Sequence, residues 1–104
     1  MFENITFFGS EIKIAKLLMK YGNLSVLVCE KKQTTGKLKY FCTTNKIIHH
    51  EVESLANLKK IKLLDKIGVI YGFGIILDSE IIQKFKYGIW NIHTGKLPEN
   101  RGRH

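Results

Sequence analysis

The fold is decided by residues 5–29, which read ITFFGSEIKIAKLLMKYGNLSVLVC. Residues 5–8 are β-branched or aromatic and a Gly-Ser pair follows them, which predicts a short buried strand. Residues 24–29 are apolar nearly throughout, as in strands that helices cover on both faces. Between the two strands the spacing predicts a helix, with Ser10 as its N-cap and Gly22 at its end. Its apolar face comprises Ile14, Leu17, Leu18 and Tyr21.

The rest of the chain continues this alternation of strands and helices. Residues 38–45 fit either a helix or a strand, and we prefer the helix. The pattern then predicts a strand near Ile47-Ile48, a helix over residues 51–64, a strand over 67–71, a helix over 79–86 capped by Asp78, and a strand over 89–93. Alternation of this kind predicts an α/β fold, a Rossmann-like three-layer sandwich with a mostly parallel sheet.

Length and composition indicate one small globular domain. The 104 residues are 44% hydrophobic and 25% charged, and no apolar run approaches the length of a membrane span. Cys29 and Cys42 form no zinc-binding pattern, and the His49-His50 tandem has no third ligand in view, so no metal site is predicted. The N-terminus lacks the basic segment of a secretory signal, which predicts a cytoplasmic protein with no membrane partner.

The formal net charge of +8 has two interpretations. Fifteen of the 17 basic residues are Lys, spread along the chain without a block of like charge. This distribution indicates an AT-rich coding bias that places Lys on solvated helix faces. A basic surface that binds nucleic acid is the alternative, which we do not favour. One cluster is more specific, because Lys96, Arg101 and Arg103 fall within eight residues.

Sheets of this kind bind ligands at the carboxyl ends of their strands. The predicted loops there are Gly9-Ser10, residues 72–77 and the residues after 93. A dinucleotide site is disfavoured, because the first turn holds one glycine followed by Glu11, whose charge would repel phosphate. The later Gly72-x-Gly74 lacks the third glycine of the dinucleotide motif.

Asn91 and His93 are the most informative pair in the sequence. Residues two apart in a strand project to the same side, so an amide and an imidazole lie together at the carboxyl end of the fifth predicted strand. Such a pair can stabilise an oxyanion, and the imidazole can carry a proton near neutral pH. The alternative is a polar strand end without chemistry. Trp90, next to this pair in the same predicted strand, is predicted to belong to the core.

Residues 88–102, GIWNIHTGKLPENRG, resemble the signature of the folate-dependent formyltransferase family: Asn-x-His, then Leu-Pro, then Arg-Gly. The preceding segment is similar to the family's loop that holds the folate pterin, largely through backbone groups. That segment comprises Tyr71, Gly72, Phe73, Gly74, Ile75, Ile76 and Leu77. The resemblance extends in order and spacing over essentially the whole chain.

The resemblance implies that Asn91 and His93 are two members of a catalytic Asn-His-Asp triad. They would stabilise the oxyanion formed when an acceptor amine attacks the formyl carbon of 10-formyltetrahydrofolate. The family's Asp lies beyond the Arg-Gly, whereas Asp65 and Asp78 occupy other segments. Residues 1–104 are therefore expected to be the incomplete N-terminal part of a formyltransferase catalytic domain, truncated after about five strands and inactive alone. The open sheet edge is expected to favour self-association.

The acceptor depends on the segment after His93. The tRNA and purine branches of the family generally read His-Pro-Ser-Leu-Leu-Pro, whereas this chain reads HTGKLP. The difference favours a small-molecule amine, namely an amino sugar linked to a nucleotide, with Lys96, Arg101 and Arg103 contacting phosphate or folate carboxylates. The alternatives are transfer to methionyl-tRNA, a non-catalytic folate-binding module, or a basic interaction module.

Overall fold

The computed structural model describes residues 3–92, which form a five-stranded, all-parallel sheet. The strands are β1 (Asn4–Phe8), β2 (Asn23–Glu30), β3 (Ile48–Val52), β4 (Ile67–Ile70) and β5 (Ile89–Asn91). Their order across the sheet is β3-β2-β1-β4-β5. The chain thus builds outward from β1 to one side and then to the other. This order confirms the predicted Rossmann-like α/β fold.

Helices cover both faces of the sheet. They are α1 (Ile12–Leu18), a 3-10 helix (Lys31–Gln33), α2 (Gly36–Thr44), α3 (Leu55–Lys59) and α4 (Ser79–Ile82). Phe7 packs in a cluster with residues of α1 and α2, and Phe8 packs in a second cluster with residues of α3 and α4. Neighbouring residues of one strand therefore supply both cores. Among residues 3–92, no helix is long and apolar enough to cross a membrane.

The first helix is shorter than its apolar spacing predicts. Glu11 is the N-cap, with its carboxylate accepting from the backbone of Lys13, so the predicted cap at Ser10 is wrong. The helix ends at Leu18, and Tyr21 is exposed. The amide of Asn23 donates to the carbonyl of Glu3, so the chain must turn before residue 22 to enter the sheet. Pairing of β2 with β1 therefore ends the helix before Gly22.

The segment between β3 and β4 also differs from its prediction. The helix predicted over residues 51–64 is present but shorter, because β3 continues to Val52 and α3 spans only Leu55–Lys59 after its cap Ser54. The strand predicted near Ile47-Ile48 is present as β3, but its length was missed because its later residues are polar, which an edge strand tolerates. The helix preferred for residues 38–45 is confirmed as α2. Asp78 caps α4 as predicted, with its carboxylate accepting from the amide of Ile81 at 3.1 Å.

A buried carboxylate ties three segments together at the amino end of β4. Oδ2 of Asp65 accepts hydrogen bonds from the hydroxyl of Thr6 at 2.8 Å and from the hydroxyl of Ser25. The pairing register of β1 and β2 shifts between Ile5 and Thr6, so that Ser25 is skipped in the ladder. An extra residue of this kind re-aims its side chain. Asp65 therefore has a structural role here, in keeping with its exclusion from the chemistry predicted for the other end of the sheet.

Candidate functional site

The candidate site lies at the carboxyl ends of β1, β4 and β5, where the switch in strand order opens a crevice. Backbone hydrogen bonds continue past the ends of these strands. The amide of Tyr71 donates to the carbonyl of Phe8 at 3.1 Å, and the amide of Ile92 donates to the carbonyl of Ile70 at 3.1 Å. The predicted 71–77 loop and Asn91 therefore start from one rigid edge of the sheet.

The loop after β4 is built around a glycine turn and an aromatic anchor. Gly72 has a φ of 63°, a conformation that residues with side chains rarely adopt, so glycine is favoured at this turn. The ring of Phe73 then packs on that of Phe8, with the ring centroids 5.6 Å apart. This contact fixes the loop to the core of the sheet on the side of α3 and α4.

The structure adds Glu30 to this loop, a residue that the sequence motifs missed. Glu30 ends β2, and its Oε2 accepts a hydrogen bond from the amide of Gly74 at 2.8 Å. Lys32 Nζ lies 3.7 Å from the other carboxylate oxygen. The signal in the sequence is a single acidic residue at the carboxyl end of a predicted strand, followed directly by a basic loop. Nothing in the local sequence indicates that Gly74, 44 residues away, is the hydrogen-bond partner of Glu30.

Two adjoining cavities lie along the loop. The first has a volume of about 430 Å³ and is partly polar, and the second has a volume of about 530 Å³ and is mostly apolar. Both volumes fall in the range of small-molecule sites. Ile70, Phe73 and Asn91 line both cavities. The first cavity also contacts Glu30, Lys32, Gln33, Gly72 and Gly74, and the second contacts Ile76, Leu77, Ile82 and Ile89.

The residues predicted for this loop divide into two groups. Gly72, Phe73, Gly74, Ile76 and Leu77 line the cavities. Tyr71 and Ile75 instead pack, partly buried, against the two hydrophobic clusters on opposite faces of the sheet. Asn91 lines the junction of the cavities. His93, Lys96, Arg101 and Arg103 lie outside the described residues.

Trp90 does not lie in the core. Its side chain is 66% exposed, and its indole nitrogen donates to the carbonyl of Tyr87 at 3.0 Å. The prediction of a core tryptophan is therefore wrong. The reason is its place on β5, which is an edge strand of the sheet formed by residues 3–92. Only one face of β5 packs against a hydrophobic cluster. Ile89 lies on that face, whereas Trp90 is exposed.

A buried cysteine and a histidine meet at the β2–β3 side of the sheet. Cys29 Sγ lies 3.1 Å from Nε2 of His49 and 2.9 Å from the hydroxyl of Thr34. Burial raises the pKa of the Cys29 thiol and lowers the pKa of His49. Burial also raises the pKa of Cys42 to about 11. Both thiols are thus buried and protonated near neutral pH, which is the state of structural cysteines and not of nucleophiles.

No group of three or more His, Cys, Asp or Glu residues that could hold a metal ion occurs among residues 3–92. The His49-His50 tandem lies within β3, where His50 pairs with Val28 and the preceding histidine contacts Cys29. The groups available at the described site are therefore the amides of Asn91 and Gln33, the carboxylate of Glu30, the ammonium of Lys32, backbone groups and an apolar wall.

Comparison with known proteins identifies relatives that include three methionyl-tRNA formyltransferases. No protein-family model matches the chain. The chain is 40% identical over 53 residues to the methionyl-tRNA formyltransferase of Rickettsia felis, covering 47% of this chain and 18% of that protein. It is 37% identical over 67 residues to the methionyl-tRNA formyltransferase of Mycoplasma pneumoniae, covering 62% and 22%. The mitochondrial methionyl-tRNA formyltransferase of Homo sapiens is 47% identical over 36 residues, covering 35% and 9%.

These matches confirm the resemblance to the formyltransferase family that the Asn-x-His motif indicates. The matched segments span about a fifth of the length of the two bacterial relatives. The similarity therefore concerns one region of larger proteins.

Proposed function

We propose that this chain is the N-terminal, folate-binding part of a formyltransferase catalytic domain, which transfers a formyl group from 10-formyltetrahydrofolate to an acceptor amine. The observation that carries the proposal is the pair of cavities that meet at Asn91. A reduced folate carries a polar pterin and a largely apolar aminobenzoyl group. The partly polar cavity and its apolar neighbour match these two parts in chemistry.

In this proposal the loop of residues 71–77 holds the pterin through its backbone groups. Gly72 and Gly74 leave the main chain accessible from the partly polar cavity, and Phe73 closes one side. Ile76 and Leu77 form the apolar wall beside it. Gly72 contributes by having no side chain and no neighbour within 4 Å of its Cβ position, which lets a ligand ring approach its backbone, whereas the amide of Gly74 is bonded to Glu30.

Asn91 and His93 are the proposed catalytic residues. When the acceptor amine attacks the formyl carbon, negative charge develops on the formyl oxygen, and the amide of Asn91 and a protonated His93 donate hydrogen bonds to it. The oxyanion then re-forms the carbonyl as the bond between that carbon and the donor nitrogen breaks, and the donor nitrogen takes up a proton in exchange for the one that the acceptor amine gives up. The carboxylate that exchanges protons with His93 is expected from a part of the protein beyond these residues.

Methionyl-tRNA is the acceptor that we propose first. The names of the three relatives support it over a nucleotide-linked amino sugar, which the segment after His93 had favoured. The net charge of +8 is suited to a polyanionic acceptor. Lys96, Arg101 and Arg103 are then proposed to contact phosphate groups of the acceptor.

The folate site is tested by titrating the chain with 5-formyltetrahydrofolate in a calorimeter. Ile76 is 86% exposed, so Ile76→Asp removes apolar cavity wall with little effect on the core. The expected result is binding by the unsubstituted chain and an affinity lowered about tenfold in Ile76→Asp. Leu64→Asp is the matched control, because Leu64 is 76% exposed and lines neither cavity. Absence of binding by the unsubstituted chain contradicts the proposal.

The acceptor is tested separately with the folate analogue present at saturation. Methionyl-tRNA is expected to bind with an affinity that falls steeply as salt rises, because phosphate contacts release counterions. Unacylated tRNA and a uridine-diphosphate amino sugar serve as comparisons. Preference for the sugar nucleotide restores the amino-sugar interpretation. Salt-dependent binding of any oligonucleotide, without a folate effect, supports a basic interaction module instead.

A further inference from the structure

Glu30 joins two strands that are not neighbours. It ends β2, whereas the loop that carries Gly74 follows β4, and β1 lies between these strands in the sheet. The bond from the Gly74 amide to Oε2 of Glu30, at 2.8 Å, therefore spans the carboxyl end of β1. The Glu30 side chain is only 12% exposed. A charged acceptor in a partly desolvated place makes a stronger hydrogen bond than a neutral one.

The fit between Glu30 and Gly74 depends on the missing side chain. A Cβ placed on Gly74 would lie 3.0 and 3.1 Å from the two oxygens of the Glu30 carboxylate. Contacts this short require the neighbour to move by a few tenths of an ångström, so a side chain at residue 74 would push the carboxylate from its present position against the amide. The ion pair between Lys32 and this carboxylate is a weaker contact, because the Lys32 side chain is 76% exposed and its ammonium lies 3.7 Å from the carboxylate oxygen.

We infer that Glu30 is a positioning residue for the folate loop: its carboxylate holds the Gly74 amide and thereby keeps residues 72–74 in the form that lines the cavity. This inference rests on the proposed function. Glu30, Gly72, Phe73 and Gly74 all line the partly polar cavity that Asn91 borders. Phe73 is anchored to Phe8 on one side, and Glu30 supplies the anchor on the other. Release of the Glu30 anchor leaves the glycine backbone with more conformations than the ligand can use.

The test compares Glu30→Ala with Glu30→Gln in the full chain. Two quantities are measured: hydrogen exchange of the Gly74 amide by NMR, and the dissociation constant of 5-formyltetrahydrofolate. Glu30→Ala is expected to accelerate exchange at Gly74 and to weaken binding about tenfold. Glu30→Gln keeps an oxygen acceptor and is expected to restore both values to within about threefold of the unsubstituted chain. Glu3→Ala, at the opposite end of the sheet, is the control for loss of one carboxylate.

Gly74→Ala gives an independent signature of the same contact. Alone it is expected to weaken binding, because the new Cβ displaces the carboxylate. In the Glu30→Ala background it is expected to add little, since the two changes break one contact and are not additive.

Two results overturn the inference. The first is exchange at Gly74 that is equal in Glu30→Ala and the unsubstituted chain. The second is accelerated exchange without loss of affinity. Failure of the unsubstituted chain to bind the analogue is a different outcome, because it rejects the proposed function while the exchange measurement still tests the anchor.

Discussion

Asp65 and Glu30 are carboxylates at opposite ends of the same sheet, and each accepts hydrogen bonds from distant segments. Asp65 receives two hydroxyl groups, those of Thr6 and Ser25, and Thr6 is fully buried. Glu30 receives one backbone amide, that of Gly74, beside a cavity. The first carboxylate closes a packed junction of three segments, and the second borders open space.

The comparison shows how one chemical group serves two purposes in a small α/β domain. At the amino end, a carboxylate that accepts from two hydroxyl groups contributes to the free energy of folding, because its loss leaves the buried hydroxyl of Thr6 without an acceptor. At the carboxyl end, the same group contributes chiefly to the shape of a loop. Stability and ligand affinity should therefore separate when each carboxylate is removed in turn.

The largest effect on stability is expected from Asp65→Ala. The hydroxyl of Thr6 loses its acceptor and that of Ser25 keeps only the carbonyl of Ile5 at 3.5 Å, which is expected to lower the free energy of unfolding by ~2–3 kcal/mol. Urea titration followed by circular dichroism measures this change. Asp65→Asn retains an oxygen acceptor and should lose less. A loss below ~0.5 kcal/mol for Asp65→Ala contradicts the assigned role, since that is the size of an ordinary surface substitution.

A smaller loss is expected from Thr6→Val, which keeps the shape of the side chain and removes its hydroxyl. Asp65 then keeps only the hydrogen bond from Ser25, and the expected cost is ~1–2 kcal/mol by the same urea measurement. The decisive comparison is the same change in the Asp65→Ala background, where it should cost much less. An equal cost in both backgrounds means that Thr6 and Asp65 are not coupled.

Glu30→Ala is expected to change the free energy of unfolding by less than ~1 kcal/mol, because its single hydrogen bond lies at a loop. The contrast with Asp65→Ala is the point of the experiment. Chemical unfolding of the two variants should be run side by side with analogue binding. A Glu30→Ala variant as unstable as Asp65→Ala shows that the carboxyl-end contact holds the fold, and the proposed division of roles then fails.

The smallest expected effect is that of Glu30→Ala on the reaction rate of the two buried thiols. This rate reports whether loosening the loop also opens the core. Burial raises the pKa of Cys42 to about 11 and also raises that of Cys29, so reaction with a thiol reagent at pH 8 should be slow in the folded chain. Glu30→Ala should leave the labelling rate within about twofold of the unsubstituted rate. Rapid labelling in this variant indicates that the loop and the core open together.

Much of the sheet could be predicted from local sequence. The runs at residues 5–8 and 24–29 are apolar and bounded by turn residues, and both are strands in the structure. Asp78 could be predicted as a cap because an N-cap needs only a short acceptor next to a helix start. The predictions failed where a neighbouring strand decides the outcome. Pairing with β2 extends β3 to Val52, and the position of β5 at the sheet edge exposes Trp90.

The candidate site was predictable only in part. The Gly72-x-Gly74 turn has a local signature, and the structure gives Gly72 the positive φ that such a turn requires. The contact between Glu30 and Gly74 has no such signature, because it joins residues 44 apart through the sheet order. The bulge that turns Ser25 toward Asp65 is likewise a property of strand register. Contacts of this kind follow from the fold and not from local spacing.

The central claim is that a reduced folate binds at the carboxyl end of the sheet. The direct measurement is an NMR titration of the isotope-labelled chain with 5-formyltetrahydrofolate, followed through its backbone amides. The account predicts shifts in the amides of residues 72–77 and 91, with those around Thr6, Ser25 and Asp65 unchanged. No shifts at the loop, or shifts confined to the Asp65 end, would contradict it.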